Sequence, residues 1–231
     1  MDGAFHTLAH LAERPPAARA APPPNLFRAM EQAGSTVSVR RRRGIYGRNQ
    51  PAEYYWRVIA GCARTVSTMA DGRRHVGAFL LPGEMIGLHD IEQHDSDAEA
   101  VTDTTLRCYP RQIVEAHAGS DAAFARELRT LMMVTLGGAH RQMVMLGRKT
   151  AVERIASFLL EIGARAPQGN ARFIDLPMSR TDIGDHLGLS IETVCRNLAL
   201  LQREGAVVIR RAGIELRDRA ALMDIAAYPQ E

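Results

Sequence analysis

The chain has 231 residues, a length that accommodates two small domains, each with its own hydrophobic core. Hydrophobic residues make up 46% and charged residues 24% of the sequence, as in ordinary soluble globular proteins. No apolar run approaches the roughly 20 residues that cross a bilayer, and no signal-peptide core is present, so we expect a cytoplasmic protein without a membrane partner. Its 3 cysteines are too few and too far apart for a disulfide framework. A net charge of +3 is too small to indicate nucleic-acid binding by itself.

A proline- and alanine-rich tract opens the chain and predicts a flexible arm over residues 1–25. Residues 26–119 then show short β-prone runs separated by turn residues, which predict the strands of an antiparallel β-roll. We place turns at Gly44, at 71–72 and at 82–83. The basic run 40–43 is interpreted as a charged, solvated strand edge, with a phosphate-binding patch as the alternative.

A long helix is predicted over residues 120–147, because apolar residues recur there with the 4-3-4-3 spacing of a coiled-coil seam. The seam consists of Met132, Leu136, Ala139, Met143 and Leu146. A second stripe, formed by Leu128, Leu131 and Thr135, is free to rest on the β-roll. One domain has little use for two apolar faces on a single helix. The pattern therefore predicts a homodimer, with a buried core helix as the alternative.

Residues 148–231 predict a second domain, reached through a hinge at Gly147 and opened by an amphipathic helix over 149–166. The segment 179–201 then has the pattern of a helix-turn-helix. Ile183 and Leu187 share the apolar face of a first short helix, and Gly188 supplies a turn residue that tolerates positive φ. Ser190 is expected to cap the second helix.

The second helix of this hairpin has two chemically distinct faces. Its apolar stripe consists of Val194, Leu198 and Leu201. Glu192, Cys195 and Arg196 lie on the other side. A carboxylate accepts from cytosine N4 and a guanidinium donates to guanine O6 and N7, so this face suits DNA base recognition in the major groove. An ordinary amphipathic hairpin with solvated charges is the alternative.

Contacts to DNA phosphates are expected around the same hairpin. The segment VVIRRAGIELRD contains two β-prone runs that predict a winged hairpin, with Arg210 and Arg211 at its tip. Polar residues near the two helix starts are further candidates for backbone contacts. They are Ser179, Arg180, Thr181, Ser190 and Thr193.

The run ETVCR (192–196), preceded by IGDHLGL and followed by LALLQREGAVVI, closely resembles the recognition helix of the Crp/Fnr superfamily of bacterial transcription regulators. Segment 57–88 resembles the β-roll sensor domain of that superfamily, and 98–111 resembles its closing strands. The ETVCR and GRRHVGAFLLPGE spellings are similar to the Fnr and FixK members. The resemblance implies an α+β fold. It would comprise an antiparallel, cyclic-nucleotide-binding-like β-roll, a dimerisation helix over 120–147 and a winged helix-turn-helix.

The resemblance also implies a function. We expect a transcription activator without enzymatic activity, whose partners are double-stranded DNA, RNA polymerase and a second copy of the chain. It implies palindromic TTGAT-like sites, with Glu192 and Arg196 recognising C and G, in gene control linked to oxygen limitation or nitrogen oxides. The family usually has Ser where Cys195 stands, so Cys195 is a candidate redox switch, with a small Ser-like donor as the alternative.

The sequence predicts no cofactor. Cyclic-nucleotide members of the superfamily hold phosphate with a Gly-Glu pair, a short helix and an arginine, whereas here Leu88 follows Gly87 and no arginine precedes AVTD. Acidic residues at 95, 97 and 99 would repel a phosphate, so no cyclic nucleotide is expected. The iron–sulfur members use cysteines in an N-terminal segment, and residues 1–61 contain none.

Three histidines in or beside the predicted roll, His75, His89 and His94, are candidate metal or haem ligands. Their spacing matches no compact ligand motif and exposed loops often contain such residues, so no metal site is expected. A haem- or metal-binding regulator of the same superfamily remains the alternative. A β-roll metalloenzyme is a more remote one, because no His-x-His pair occurs in the chain.

Overall fold

The computed structural model describes residues 30–31, 33–165, 172–211 and 213–227. The predicted arm over residues 1–25 lies outside these described residues. The chain divides between Gly137 and Gly138 into two compact units, and this boundary falls within one long helix.

The first unit is an antiparallel β-roll, as the sequence predicts. Its strands are β1 Ser35–Val39, β2 Gly44–Tyr46, β3 Tyr54–Ala60, β4 Ala63–Thr68, β5 Arg74–Leu80, β6 Met85–Ile86, β7 Asp97–Ala100 and β8 Thr104–Pro110. They form two sheets with the strand orders β1-β8-β3-β6 and β2-β7-β4-β5. Side chains that alternate along these strands meet in a shared apolar core, which includes Val58, Leu80 and Leu106.

The predicted turns at 71–72 and 82–83 are confirmed, and Gly72 and Gly83 adopt φ values of 85° and 94° there. The prediction at Gly44 was wrong, because Gly44 is the first residue of β2. The basic run 40–43 lies in the exposed turn that carries the chain from β1 to β2, so it is not a strand edge. Arg42 has a φ of 65° in this turn, and the Arg41 amide donates to the Asp103 carboxylate at 2.8 Å.

Two helices follow the roll, α1 Arg111–Ser120 and α2 Ala122–Arg148. Helix α1 has no counterpart in the sequence prediction. The Asp121 carboxylate accepts the amides of Ala123 and Phe124 and so caps the long helix. Leu128 and Leu131 are buried with Tyr55 and Tyr109, which confirms that the second stripe of the helix rests on the roll.

The second unit surrounds a helix-turn-helix. Beyond α2 it contains α3 Ala151–Arg165, β9 Phe173–Asp175, α4 Arg180–Leu187, α5 Ile191–Arg203, β10 Val207–Ile209, β11 Gly213–Leu216 and α6 Arg219–Ile225. The predicted wing is β10 paired with β11, and β9 adds a third antiparallel strand next to β11. Helix α3 buries Ile155, Phe158 and Leu159 in this unit.

The junction between α2 and α3 is held by two cationic side chains. Helix α2 continues through Gly147, and the break falls at residues 149–150. The Arg154 guanidinium donates to three carbonyl oxygens, those of Leu146, Lys149 and Leu187, at 2.8, 2.9 and 2.9 Å. The Lys149 ammonium donates to Ser157 Oγ at 2.8 Å and to the Ala226 carbonyl at 2.7 Å. Both side chains satisfy carbonyl groups at helix ends, where intrahelical partners run out.

Candidate DNA-binding site

The first helix of the hairpin, α4, begins with a complete capping box. Ser179 Oγ accepts the Asp182 amide at 3.1 Å, and the Asp182 carboxylate accepts the Ser179 amide at 3.0 Å. Each residue thereby satisfies a backbone donor that the helix start leaves open. Asp182 has no predicted role above, although a serine followed three residues later by an acid is a known signal for this cap.

Glycines make the turn after α4 compact. Gly188 ends the helix with a φ of 64°, and its amide donates to the Gly184 carbonyl. This confirms the predicted turn residue. Gly184 itself faces the turn so closely that an added Cβ would lie 2.5 Å from the Leu189 carbonyl oxygen. The close approach of α5 to α4 therefore requires glycine at position 184, because any side chain there would meet the turn.

Helix α5 separates its two faces as predicted. Ser190 caps it, with Oγ accepting the Thr193 amide at 3.2 Å. The stripe consisting of Val194, Leu198 and Leu201 is buried. Glu192, Cys195 and Arg196 are exposed on the opposite side. The buried stripe fixes the rotation of the helix, and this leaves two charged groups and a thiol on one open surface.

The charges on this surface are oriented by the start of α5. Hydrogen bonds from the Glu192 amide and the Ser190 hydroxyl lower the pKa of Glu192, so this carboxylate is an acceptor at neutral pH. Arg196 lies with one terminal nitrogen 3.5 Å from Thr193 Oγ1. Burial lowers the pKa of Arg180, and the neighbouring Cys195 opposes that shift. Arg180 of α4 and Cys195 of α5 are therefore close enough to interact electrostatically.

The wing carries the two other predicted arginines, and they differ in their surroundings. The Arg210 guanidinium donates to Glu215 Oε2 at 2.8 Å, and Arg172 pairs with the other oxygen at 2.9 Å. The hydrogen bond from Arg210 is the largest cause that lowers the pKa of Glu215, and Arg172 lowers it further. Arg211 is exposed at the tip of the wing. Of the two predicted phosphate contacts, Arg210 is held by an ion pair and Arg211 projects from the tip.

The predicted seam of α2 is largely open within the single chain. Leu136 is 61% exposed and Met143 is 68% exposed, and Ala139 is exposed between them. Met132 differs, because it packs against the core of the first unit. Exposed apolar patches commonly mark interaction sites.

The roll offers acidic groups where the cyclic-nucleotide members hold a phosphate. Residues 87–96 form turns and bends without a helix. Arg64 and Arg74 both donate to the Glu99 carboxylate, at 2.6 and 3.2 Å. The Glu99 carboxylate of β7 therefore offsets part of the positive charge of these two arginines.

One of the three histidines is buried, although the sequence suggests exposed loops for them. His94 is buried, its Nδ1 lies 2.7 Å from Asp90 Oδ2, and its ring stacks on Tyr46 at 3.5 Å. It is a core residue because Asp90 satisfies its polar atom. His89 is exposed beside Asp90 and Asp95, and His75 lies separately in β5.

Taken together, a β-roll, a long helix and a winged helix-turn-helix with an open polar face define a DNA-binding transcription regulator. Two family models match the chain, a Crp-like helix-turn-helix domain over 153–225 and a cyclic nucleotide-binding domain over 36–119. The nitrogen fixation regulation protein FixK of Azorhizobium caulinodans is 40% identical over 193 residues, which is 82% of this chain and 78% of that protein.

The transcriptional activator protein FnrL of Cereibacter sphaeroides is 32% identical over 174 residues, 72% of this chain and 70% of that protein. Among solved structures, FixK2 from Bradyrhizobium japonicum superposes with a TM-score of 0.81 at 41% identity, covering 85% of this chain and 99% of that one. The chain belongs to the Crp/Fnr family, in its FixK-like group. None of the described helices combines the length and apolar character needed to cross a membrane.

Proposed function

We propose that the protein acts in the cytoplasm as a homodimer on palindromic TTGAT-like sites. Each subunit places α5 in one of two successive major grooves about one helical turn apart. The observation that carries this proposal is the exposed face of α5, because the opposite face is buried and this side is open to a binding partner. On that face Glu192 accepts from cytosine N4, Arg196 donates to guanine, and Cys195 lies between them.

The hairpin ends and the wing hold the DNA backbone in this proposal. Phosphate contacts come from Ser179, Arg180, Thr181, Ser190, Thr193, Arg210 and Arg211. The first turns of α4 and α5 also present backbone amides and the positive end of the helix dipole, which attract phosphate oxygens. These contacts position the protein but carry no sequence information.

Dimerisation uses the seam of α2, formed by Met132, Leu136, Ala139, Met143 and Leu146. In this arrangement residues 26–119 are a sensor-like domain, 120–147 the dimerisation helix and 148–231 the DNA-binding domain. The exposure of Leu136 and Met143 supports the proposal, since both would be buried in a coiled coil.

The target genes are those of oxygen limitation or nitrogen-oxide metabolism, and the protein activates them through RNA polymerase. This part of the proposal rests on the relatives, which include FixK proteins and the anaerobic regulatory protein of Pasteurella multocida. Binding requires no cyclic nucleotide and no iron–sulfur cluster.

Fluorescence anisotropy with a labelled palindrome and a set of single-base variants tests the proposed reading face. Arg196→Ala removes a bidentate base contact worth about 1–3 kcal/mol and should abolish the preference at one base pair per half-site. The matched control is Arg211→Ala, which should weaken all sequences equally and reduce the salt slope by about 1 per contact. Unchanged affinity and selectivity of Arg196→Ala would show that another surface recognises the bases.

A further inference from the structure

The segment between β6 and β7 brings together three groups that ligate metals. His89 Nε2 lies 3.2 Å from Asp95 Oδ1 and 3.5 Å from Asp90 Oδ1. One ligand atom from each of the three residues lies within 4.8 Å of the others. An imidazole nitrogen and two carboxylate oxygens from a short segment therefore lie close together.

The spacing of His89 Nε2 from the two carboxylates is compatible with a coordination shell. Zinc binds histidine nitrogen and carboxylate oxygen at about 2.0–2.2 Å, and a tetrahedral arrangement then separates neighbouring ligand atoms by roughly 3.3–3.5 Å. The two distances from His89 match this separation. His89 Nε2 and Asp95 Oδ1 are hydrogen-bonded at 3.2 Å, whereas the His89–Asp90 pair at 3.5 Å is longer than the roughly 2.7–2.9 Å usual for a charge-assisted hydrogen bond.

Asp90 is held as a ligand rather than as a solvated surface group. Its side chain is 1% exposed, and His94 Nδ1 binds Oδ2 at 2.7 Å. The other oxygen, Oδ1, is the one that faces His89 and the Asp95 amide. Metal-binding carboxylates are commonly fixed by a hydrogen bond of this kind to the oxygen that does not bind the metal.

Tyr46 gives an independent indication of a missing partner. Its hydroxyl is buried and has no hydrogen-bond partner among the described residues. The Tyr46 ring stacks on His94 at 3.5 Å, and His94 Nδ1 lies 2.7 Å from Asp90 Oδ2, so the phenol lies next to the cluster. Buried hydroxyls normally have a partner, and a water molecule bound to an ion at this cluster would supply one.

We propose that His89, Asp90 and Asp95 bind one divalent transition-metal ion, with Zn²⁺ as the best match and water completing its coordination. Coordination by two carboxylates would balance the 2+ charge of such an ion. The imidazole disfavours Mg²⁺ and Ca²⁺, which prefer oxygen ligands. The site lies in the β-roll and does not depend on the proposed DNA sequence.

The test is calorimetric titration of the full-length protein, first stripped with a chelator, with ZnCl₂ alone. We expect the wild type to bind one Zn²⁺ ion per chain. His89→Ala and Asp95→Asn should each reduce the affinity for Zn²⁺ by at least about 100-fold. Both residues are exposed, so these variants should fold, and circular dichroism checks this. His75→Ala is the control, because this histidine lies in β5 outside the cluster.

Cobalt substitution gives a second measurement that is independent of affinity. A tetrahedral Co²⁺ site with nitrogen and oxygen ligands should show visible absorbance that His89→Ala removes and His75→Ala retains. The proposal is overturned if the wild type binds neither ion. It is also overturned if folded His89→Ala and Asp95→Asn bind Zn²⁺ as tightly as the wild type does.

Discussion

Replacing Leu136 and Met143 by alanine should separate the proposed dimer without unfolding the subunits. The two side chains are 61% and 68% exposed in the single chain. Fully burying a leucine or methionine stabilises by about 1.5–3 kcal/mol, so their exposed fractions leave about 1–2 kcal/mol each for the partner to bury. A symmetric dimer contains four such side chains, which together contribute about 4–8 kcal/mol.

Alanine retains one methyl group at each position, so the loss of dimer stability in the double variant should lie at the lower end of this range. A loss of about 4 kcal/mol raises the dimer dissociation constant roughly a thousand-fold, because each 1.4 kcal/mol is about a factor of ten. Sedimentation equilibrium over a range of protein concentrations measures this constant directly. The affinity for a palindrome should fall with it, whereas that for a single half-site should not.

The control is Ile113→Ala, which removes a 50% exposed apolar side chain from α1, outside the seam. It should leave the dissociation constant unchanged. A folded double variant that remains a dimer at the concentrations where the wild type does would refute the assignment of the seam. The apolar face of α2 would then have another occupant.

Three further predictions concern other parts of the chain. Peroxide should weaken binding of the wild type to its palindrome but leave binding of Cys195→Ser unchanged, because an oxidised, negatively charged Cys195 would repel the DNA phosphates. Equal losses of affinity in the two proteins would exclude a redox switch at Cys195. Gly184→Ala should lower the thermal unfolding midpoint of the second unit, because the added Cβ would meet the Leu189 carbonyl. Gly147→Ala is the control and should not lower it, because the space around Gly147 is open. Equal midpoints for the two variants would contradict this prediction. Adding cyclic AMP should change neither the heat measured by calorimetry nor the affinity for DNA, and a large gain in affinity would contradict the assignment.

The sequence predicted the hairpin well because its determinants are local. The burial of Val194 and Leu198 and the exposure of Arg196 follow from the helical period alone, and the cap at Ser190 needs only neighbouring backbone groups. Glycine at 188 likewise indicates the left-handed turn from its own conformational freedom.

The missed elements depend on distant partners. Strand β9 has three residues and is stabilised by pairing with β11, which lies far along the chain. Helix α1 buries Val114 as its only fully buried residue, so its sequence shows no clear apolar period. The cluster of His89, Asp90 and Asp95 depends on a turn through Gly87, whose φ of 84° the spacing of ligands does not reveal.

The junction at Lys149 also makes the protein a natural reporter of its own local opening. Lys149 is the only lysine in the chain, and its ammonium is bound to Ser157 and Ala226. While these two hydrogen bonds hold, the ammonium is half-buried, and its amine is freely accessible to a reagent only when the junction loosens. Apart from the α-amino group, an amine-reactive dye can therefore modify a single position. Its rate of attachment measures how often the link between the long helix and the DNA-binding unit opens.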